Sequence, residues 1–316
     1  MYKLIRSSLC VAALLGLSTS GAFAAQVLGP DTDEGDLVPT GKGWGERAYP
    51  TPHHNDHANP NGAAGKTTTN GINYHGGPVM LGTTNIYYIW YGDWANNTAT
   101  TILADLASHI GGSPYYNINT TYYNGANAHV SNSIAYKAST NDNYSNGKAL
   151  TDANIQSIVT SAINSHALPL DTNAVYFVLT SADVNATSGF CTQYCGWHTH
   201  ANITGLGDIK YSFVGNPDRC PSACAAQTTG PNGNAGSDGM ASIIAHELEE
   251  ATTDPDLNAW YDTRGQENAD KCAWTFGATY TASNGAQANM KLGTRDYLIQ
   301  QNWVNASGGY CAKQYP

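Results

Sequence analysis

Six of the seven cysteines, Cys191, Cys195, Cys220, Cys224, Cys272 and Cys311, lie beyond residue 190, and what they can do depends on whether the chain is exported. The first 24 residues, MYKLIRSSLCVAALLGLSTSGAFA, answer that. Lys3 and Arg6 precede an apolar run from Leu9 to Leu17, and small residues stand at Ala22 and Ala24, the three-part pattern of a secretory signal cleaved after Ala24. A membrane anchor is the competing reading, but the run falls short of the roughly 20 residues that span a bilayer. Cys10 lies inside the run and is expected to leave with it. The six cysteines that remain are an even number in an oxidising compartment, which reads as three disulfides. Two CxxxC units and two distant cysteines suggest Cys191 with Cys195, Cys220 with Cys224, and Cys272 with Cys311. A four-thiolate zinc site built from the CxxxC units is the rival, disfavoured because free thiols seldom persist outside the cell.

Lys3 and Arg6 are lost with the signal, so the 14 basic residues become 12 against 24 acidic ones, a formal charge of −12. That balance argues against nucleic acid and anionic membrane surfaces as partners. Residues 25–73 are rich in Gly, Pro, Asp, Asn, Thr and His and lack apolar periodicity, so they read as a flexible leader or propeptide. Its His53, His54, Asp56 and His57 read as a solvated polar tract rather than a metal site. Residues 74–316 read as one domain. A long strand or hairpin is expected over residues 76–94, and a helix from Thr98 to Ile110 with Ile102, Leu103, Leu106 and Ile110 on one face. A strand follows from His129 to Tyr136, a helix from Leu150 to His166, a buried strand from Ala174 to Thr180, and another strand from Lys210 to Val214. Beyond a long Pro- and Gly-rich loop, Ser237 or Asp238 caps a helix from about Met240 to Thr253, which Pro255 ends. Strands alternating with helices predict an α/β layered domain with a mixed sheet and a disulfide-clipped C-terminal part.

The last helix contains AHELEEATTDPD, residues 245–256. His246 and Glu250 are four apart and so project from one helical face, where they can grip a metal ion while Glu247 reaches a water held there. This is the logic of the HExxH helix of zinc peptidases, with glutamate in place of the second histidine, and it predicts a zincin-like layering. The chain has six glutamates, and four of them, Glu247, Glu249, Glu250 and Glu267, fall within 21 residues. The competing reading is an acidic helix end facing water, but Ile243, Ile244, Ala245, Leu248 and Ala251 would bury this helix, and buried carboxylates need a cation or hydrogen bonds. For a third ligand, Glu267 is preferred, with Asp270 expected to orient His246 through its other ring nitrogen. Asp256, ten residues after His246, is second choice, and Asp254 and Asp262 read as turn groups or supports for the ligands. Zinc is the first choice of metal, with manganese and calcium as alternatives for so oxygen-rich a set.

Four segments, YHGGPVMLGTTNIYYIWYGDW (74–94), GFCTQYCGWH (189–198), YSFVGNPDRCPSAC (211–224) and GPNGNAGSDGM (230–240), resemble the phosphate-induced protein 1 or EXORDIUM family of secreted plant proteins. The resemblance implies an extracellular or wall-associated location, a link to growth and no established reaction. It is taken to speak for fold and location, because AHELEEATTDP is read as standing in place of an apolar, small-residue plant pattern. His198 matches a histidine after the family's Cys-Gly pair, and a structural hydrogen-bonding role is preferred for it.

Two functions follow. The first is a secreted metal-dependent peptidase acting on peptide or protein, with Glu247 as proton-transferring base. The second is a non-catalytic wall or carbohydrate-binding protein whose Tyr87, Tyr88, Trp90, Tyr91 and Trp94 stack on a cell-wall polymer, although at strand spacing such residues more often pack a core. A glycosidase would need an acid and a base on opposite sides of a cleft, which a single helical cluster does not suggest.

Overall fold

The computed structural model describes residues 71–316 together with Pro39. The segment expected to be a signal, nearly all of the expected leader and its His53, His54, Asp56 and His57 lie outside the described residues. Residues 71–73, assigned to the leader from sequence, include the buried Ile72, and Asn73–Tyr74 pairs antiparallel with Trp260–Tyr261.

The central sheet has five strands: β1 (Thr84–Tyr91), β2 (Ile134–Asp142), β3 (Ala174–Thr180), β4 (Gly196–Ile203) and β5 (Gly207–Val214). Their order is β2-β1-β3-β5-β4. Neighbours run parallel, except that β4 returns antiparallel along β5 at the edge. Every residue of β3, AVYFVLT, is buried, as a central strand of a parallel sheet must be when both its faces are covered. The covering helices are α1 (Ala99–His109), α2 (Asp152–Asn164) and α3 (Ala235–Thr253). In α1, Ile102, Leu103 and Leu106 are buried, and in α2 Ile155, Ile158, Val159 and Ile163, so the helical apolar face found in each sequence is the face that packs. α2 opens on a capping box between Thr151 and Asn154.

Several expectations need correction. Of the two alternatives for residues 76–94, the strand holds and not the hairpin, but it is confined to Thr84–Tyr91, because β1 finds its partners in β2 and β3 rather than in its own flank. The strand expected from His129 begins at Ile134. Strand β4, GWHTHANI, was missed: its polar pattern carries little strand signal, and pairing to β5 decides it. The aromatic residues Tyr87, Tyr88, Trp90, Tyr91 and Trp94 are all buried in the main core, where they cannot stack on a polymer.

The disulfides are Cys191–Cys220, Cys195–Cys224 and Cys272–Cys311. Only the last matches expectation. The two CxxxC units do not close on themselves but lie alongside each other, so both cysteines of one face both cysteines of the other and form two parallel rungs. Those rungs tie the approach to β4 to the loop after β5.

Candidate metal centre

The chain folds α3 onto the antiparallel edge of the sheet. Asn234 caps the helix, its side chain accepting from the Ser237 backbone N–H at 3.1 Å, so the helix begins at Ala235, ahead of the expected start. Gly196 of β4 permits the close approach: a Cβ there would stand 2.5 Å from Ile243 Cγ2 and 2.8 Å from Glu247 Oε1. Residues 196, 198 and 200 share one face of β4 by strand alternation, which aligns His198 with the helix. A second support comes from the segment after α3, where the Cys272–Cys311 bridge ties a short 3₁₀ turn, Asp270–Cys272, to the C-terminal hairpin of Asn302–Val304 and Tyr310–Ala312. That turn carries Asp270 toward the helix, and its backbone N–H donates to Glu250 Oε1 at 3.0 Å.

The side chains gather as two triads that share Glu250. In one, His246 Nε2 lies 3.0 Å from Glu250 Oε1 and 3.5 Å from Asp270 Oδ1. In the other, His198 Nε2 lies 3.6 Å from Glu250 Oε2 and 3.2 Å from Glu267 Oε2. In each triad, one donor atom from every residue falls within 4.8 Å of the others, close enough to surround a cation. All five residues are buried. Glu247, also buried, lies with His246 on the wall of a narrow cleft of about 30 Å³, together with Ser242, Trp274, Phe276 and Gln300.

The electrostatics follow from this crowding. Burial, then the charge of Asp270, pushes Glu250 up to about 7 against the opposing pull of His246. Burial, with Glu250, Asp254, Asp270 and Glu247 around it, raises Glu267 well above the carboxylate range. Burial disfavours the His246 cation, but Glu250, Asp270 and Glu247 outweigh it and raise its pKa well above the usual value. His198 goes the other way, down to about 3, through burial and the neighbouring His246 and His200 charges. Four carboxylates in so dry a volume cannot all stay ionised without a counter-charge. Lys271, next to Asp270 in the chain, is turned to Asp262 at 2.8 Å. Glu250 Oε2 and Glu267 Oε1 accept no hydrogen bond. The donor set of imidazole and carboxylate, with these buried acceptor atoms aimed inward, fits a divalent cation.

The predicted site residues are thus partly reassembled. His246, Glu250 and Glu247 lie on one helix as expected. Glu267 meets Glu250 through His198 rather than beside His246, and Asp270 approaches His246 at Nε2. The other ring nitrogen, Nδ1, is met by the Gln300 amide at 2.6 Å. With its oxygen turned to that position, the amide would accept from Nδ1–H and leave an Nε2 lone pair for a metal. Asp256 is elsewhere, with His200, Asp208 and Lys210. Asp254 caps the turn after α3, accepting from the Asn258 and Ala259 backbone N–H groups at 2.6 Å, and Asp262 likewise accepts from Arg264 and Gln266. Glu249 points away to Asn302 at 2.7 Å. Gln300 carries no signal in the sequence, since a glutamine outside any motif is commonplace; His198 was visible as the histidine that follows the Cys195–Gly196 pair, where a structural role was preferred.

The model of the phosphate-induced protein 1 conserved region matches residues 72–303. Among individual proteins, EXORDIUM-like 3 of Arabidopsis thaliana is 33% identical over 279 residues, covering 76% of this chain and 82% of that protein. EXORDIUM-like 5 of the same plant is 31% identical, covering 73% and 75%, and PHOSPHATE-INDUCED 1 of Nicotiana tabacum is 27% identical, covering 60% and 67%. No solved structure matches. Three formed disulfides agree with an oxidising setting, and among the described residues no helix is long and apolar enough to cross a membrane. Matched over most of its length by the family model and by its relatives, the chain belongs to the phosphate-induced protein 1 family, together with the EXORDIUM proteins.

Proposed function

We propose that this chain is an exported, extracellular protein of the EXORDIUM type that holds a divalent metal, zinc first and manganese or calcium as alternatives, between His246, Glu250 and Asp270. Its role is to bind a wall polymer or a peptide over the mouth of the adjoining cleft. The observation that carries the metal reading is the buried His246–Glu250 pair at 3.0 Å, facing Asp270 at 3.5 Å. The family likeness favours binding over turnover, since its members' names carry no peptidase. Trp274, which lines the cleft and is partly exposed, takes over the stacking role first assigned to the strand aromatics.

A second reading, a zincin-type peptidase, is favoured by Glu247, which lines the same cleft one residue after His246. A bound metal would supply Lewis-acid polarisation of a peptide carbonyl. Glu247 would accept a proton from the attacking water and return it to the leaving amine, while Gln300 would hold the His246 ring in orientation.

The test combines metal analysis with hydrolysis. Mature protein purified without chelator is expected to carry metal, and His246→Gln to carry less. On a denatured protein substrate, the binding reading expects no turnover by metal-loaded protein. The peptidase reading expects turnover that Glu247→Gln lowers roughly 100- to 10,000-fold with metal content unchanged. Metal-free wild type would refute the centre.

A further inference from the structure

We infer that the centre is binuclear: a second divalent cation is held by His198, Glu250 and Glu267, and the Glu250 carboxylate bridges it to the cation between His246, Glu250 and Asp270. The inference rests on the metal reading above and extends it to the deeper triad. Glu250 presents a different oxygen to each side, Oε1 to His246 at 3.0 Å and Oε2 to His198 at 3.6 Å, as a bridging carboxylate does. His198 Nε2 also faces Glu267 Oε2 at 3.2 Å. The residues of this second triad are at most 1% exposed, and Glu250 Oε2 and Glu267 Oε1 lack hydrogen-bond partners. Metal–ligand bonds of about 2.0–2.2 Å mean that donors on one ion lie within roughly 4.4 Å of each other, a condition the two triads approach separately. Two ions sharing a carboxylate sit about 3.5–4 Å apart, which one glutamate can span.

Charge gives an independent argument. Glu247, Glu250, Glu267 and Asp270 are all buried, and when ionised they bring four negative charges into one volume. One dication leaves a net charge of about −2 out of water unless two of the carboxyls stay protonated, whereas two dications neutralise all four with both imidazoles uncharged. The strand-borne His198 then has a role that helix spacing alone does not supply. It brings the edge of the sheet into the centre, and the segment after α3 closes the remaining side.

The experiment is metal stoichiometry on the full mature protein loaded separately with Zn²⁺ and with Mn²⁺, then freed of loosely held ion. Two ions per chain are expected in wild type, about one in His198→Gln, in Glu267→Gln and in His246→Gln, and fewer than one in Glu250→Gln. The Mn²⁺-loaded wild type should give an exchange-coupled electron paramagnetic resonance spectrum, replaced by an isolated-ion spectrum in each single-triad variant. Far-ultraviolet circular dichroism checks folding, and if His198→Gln does not fold, Glu267→Gln decides the same point. One ion per chain, unaffected by Glu267→Gln, would leave a mononuclear centre at His246 and overturn this inference alone. One ion lost equally on changing His198 or His246 would mean a single shared ion and overturn it too. No ion in wild type would overturn both the inference and the metal reading.

Discussion

At the scale of single residues, the tightest constraint is Gly196. Its missing side chain lets β4 and α3 approach until only a hydrogen atom fits between the backbone and Ile243, with Glu247 behind. Gly196→Ala is therefore expected to cost about 1–3 kcal/mol through overpacking, and Ile243→Ala in the same chain should restore part of the loss by clearing the nearer contact. Thermal melts of the two variants check this; an alanine tolerated without change would mean that the helix can shift freely. The neighbouring glutamates illustrate how local position assigns role. Glu249 turns to the Asn302 amide at 2.7 Å, while Glu250, one residue on, turns to two histidines.

At the scale of elements, the edge strand and the segment after α3 are both fastened by disulfides. The paired rungs Cys191–Cys220 and Cys195–Cys224 brace the entry to β4, and Cys272–Cys311 braces the turn that carries Asp270. Proteolytic mapping without reduction should recover Cys191 linked to Cys220 and Cys195 to Cys224. Replacing both Cys272 and Cys311 by serine is expected to cost about 2–5 kcal/mol. Because that bridge holds Asp270 against Glu250, the same variant should also bind metal more weakly, measured by competition with a chelating dye. A loss of stability with metal affinity unchanged would separate the bridge from the centre.

At the scale of the whole molecule, the buried acids set an unusual dependence of stability on pH. Burial pushes Glu250 and Asp254 up to about 7, and it raises Glu249 and Glu267 as well. A carboxyl whose folded pKa lies above its unfolded value binds its proton more tightly when folded. Its contribution is complete below the unfolded value, 4.5 for Glu and 3.8 for Asp, and is lost as pH rises through the folded one. His246, also raised, acts in the same direction. His198, lowered to about 3, acts oppositely, its contribution being lost as pH falls from 6.5 toward 3. The carboxyls outnumber it. The Tm of chelated protein is therefore expected to fall as pH rises from about 4.5 to about 7. Metal-loaded protein should do the reverse, since acid protonates the ligands and releases the ion. Paired melts across that window, with and without chelator, test both; a chelated Tm that rises with pH would contradict the account.

What the sequence determined by itself is what repeats over a few residues. The apolar faces of α1 and α2, the buried run of β3 and the His246–Glu250 spacing each follow from helical or strand periodicity, which neighbouring residues alone establish. The even number of cysteines and the family segments were legible in the same way, as composition and order. Tertiary structure decided whatever depends on which distant segments meet. His198 comes from a strand with little strand character of its own, and it reaches Glu250 because β5 supplies its hydrogen bonds and Gly196 lets α3 settle against it. Cys191 pairs with Cys220 rather than Cys195 because two CxxxC units are laid side by side, and the strand aromatics are buried because sheet and helices close over them. Asp270, rather than Glu267, faces His246 because a disulfide far along the chain holds its turn in position. Local spacing identifies groups able to share a ligand, but the loops and bridges between elements choose which of them come within reach.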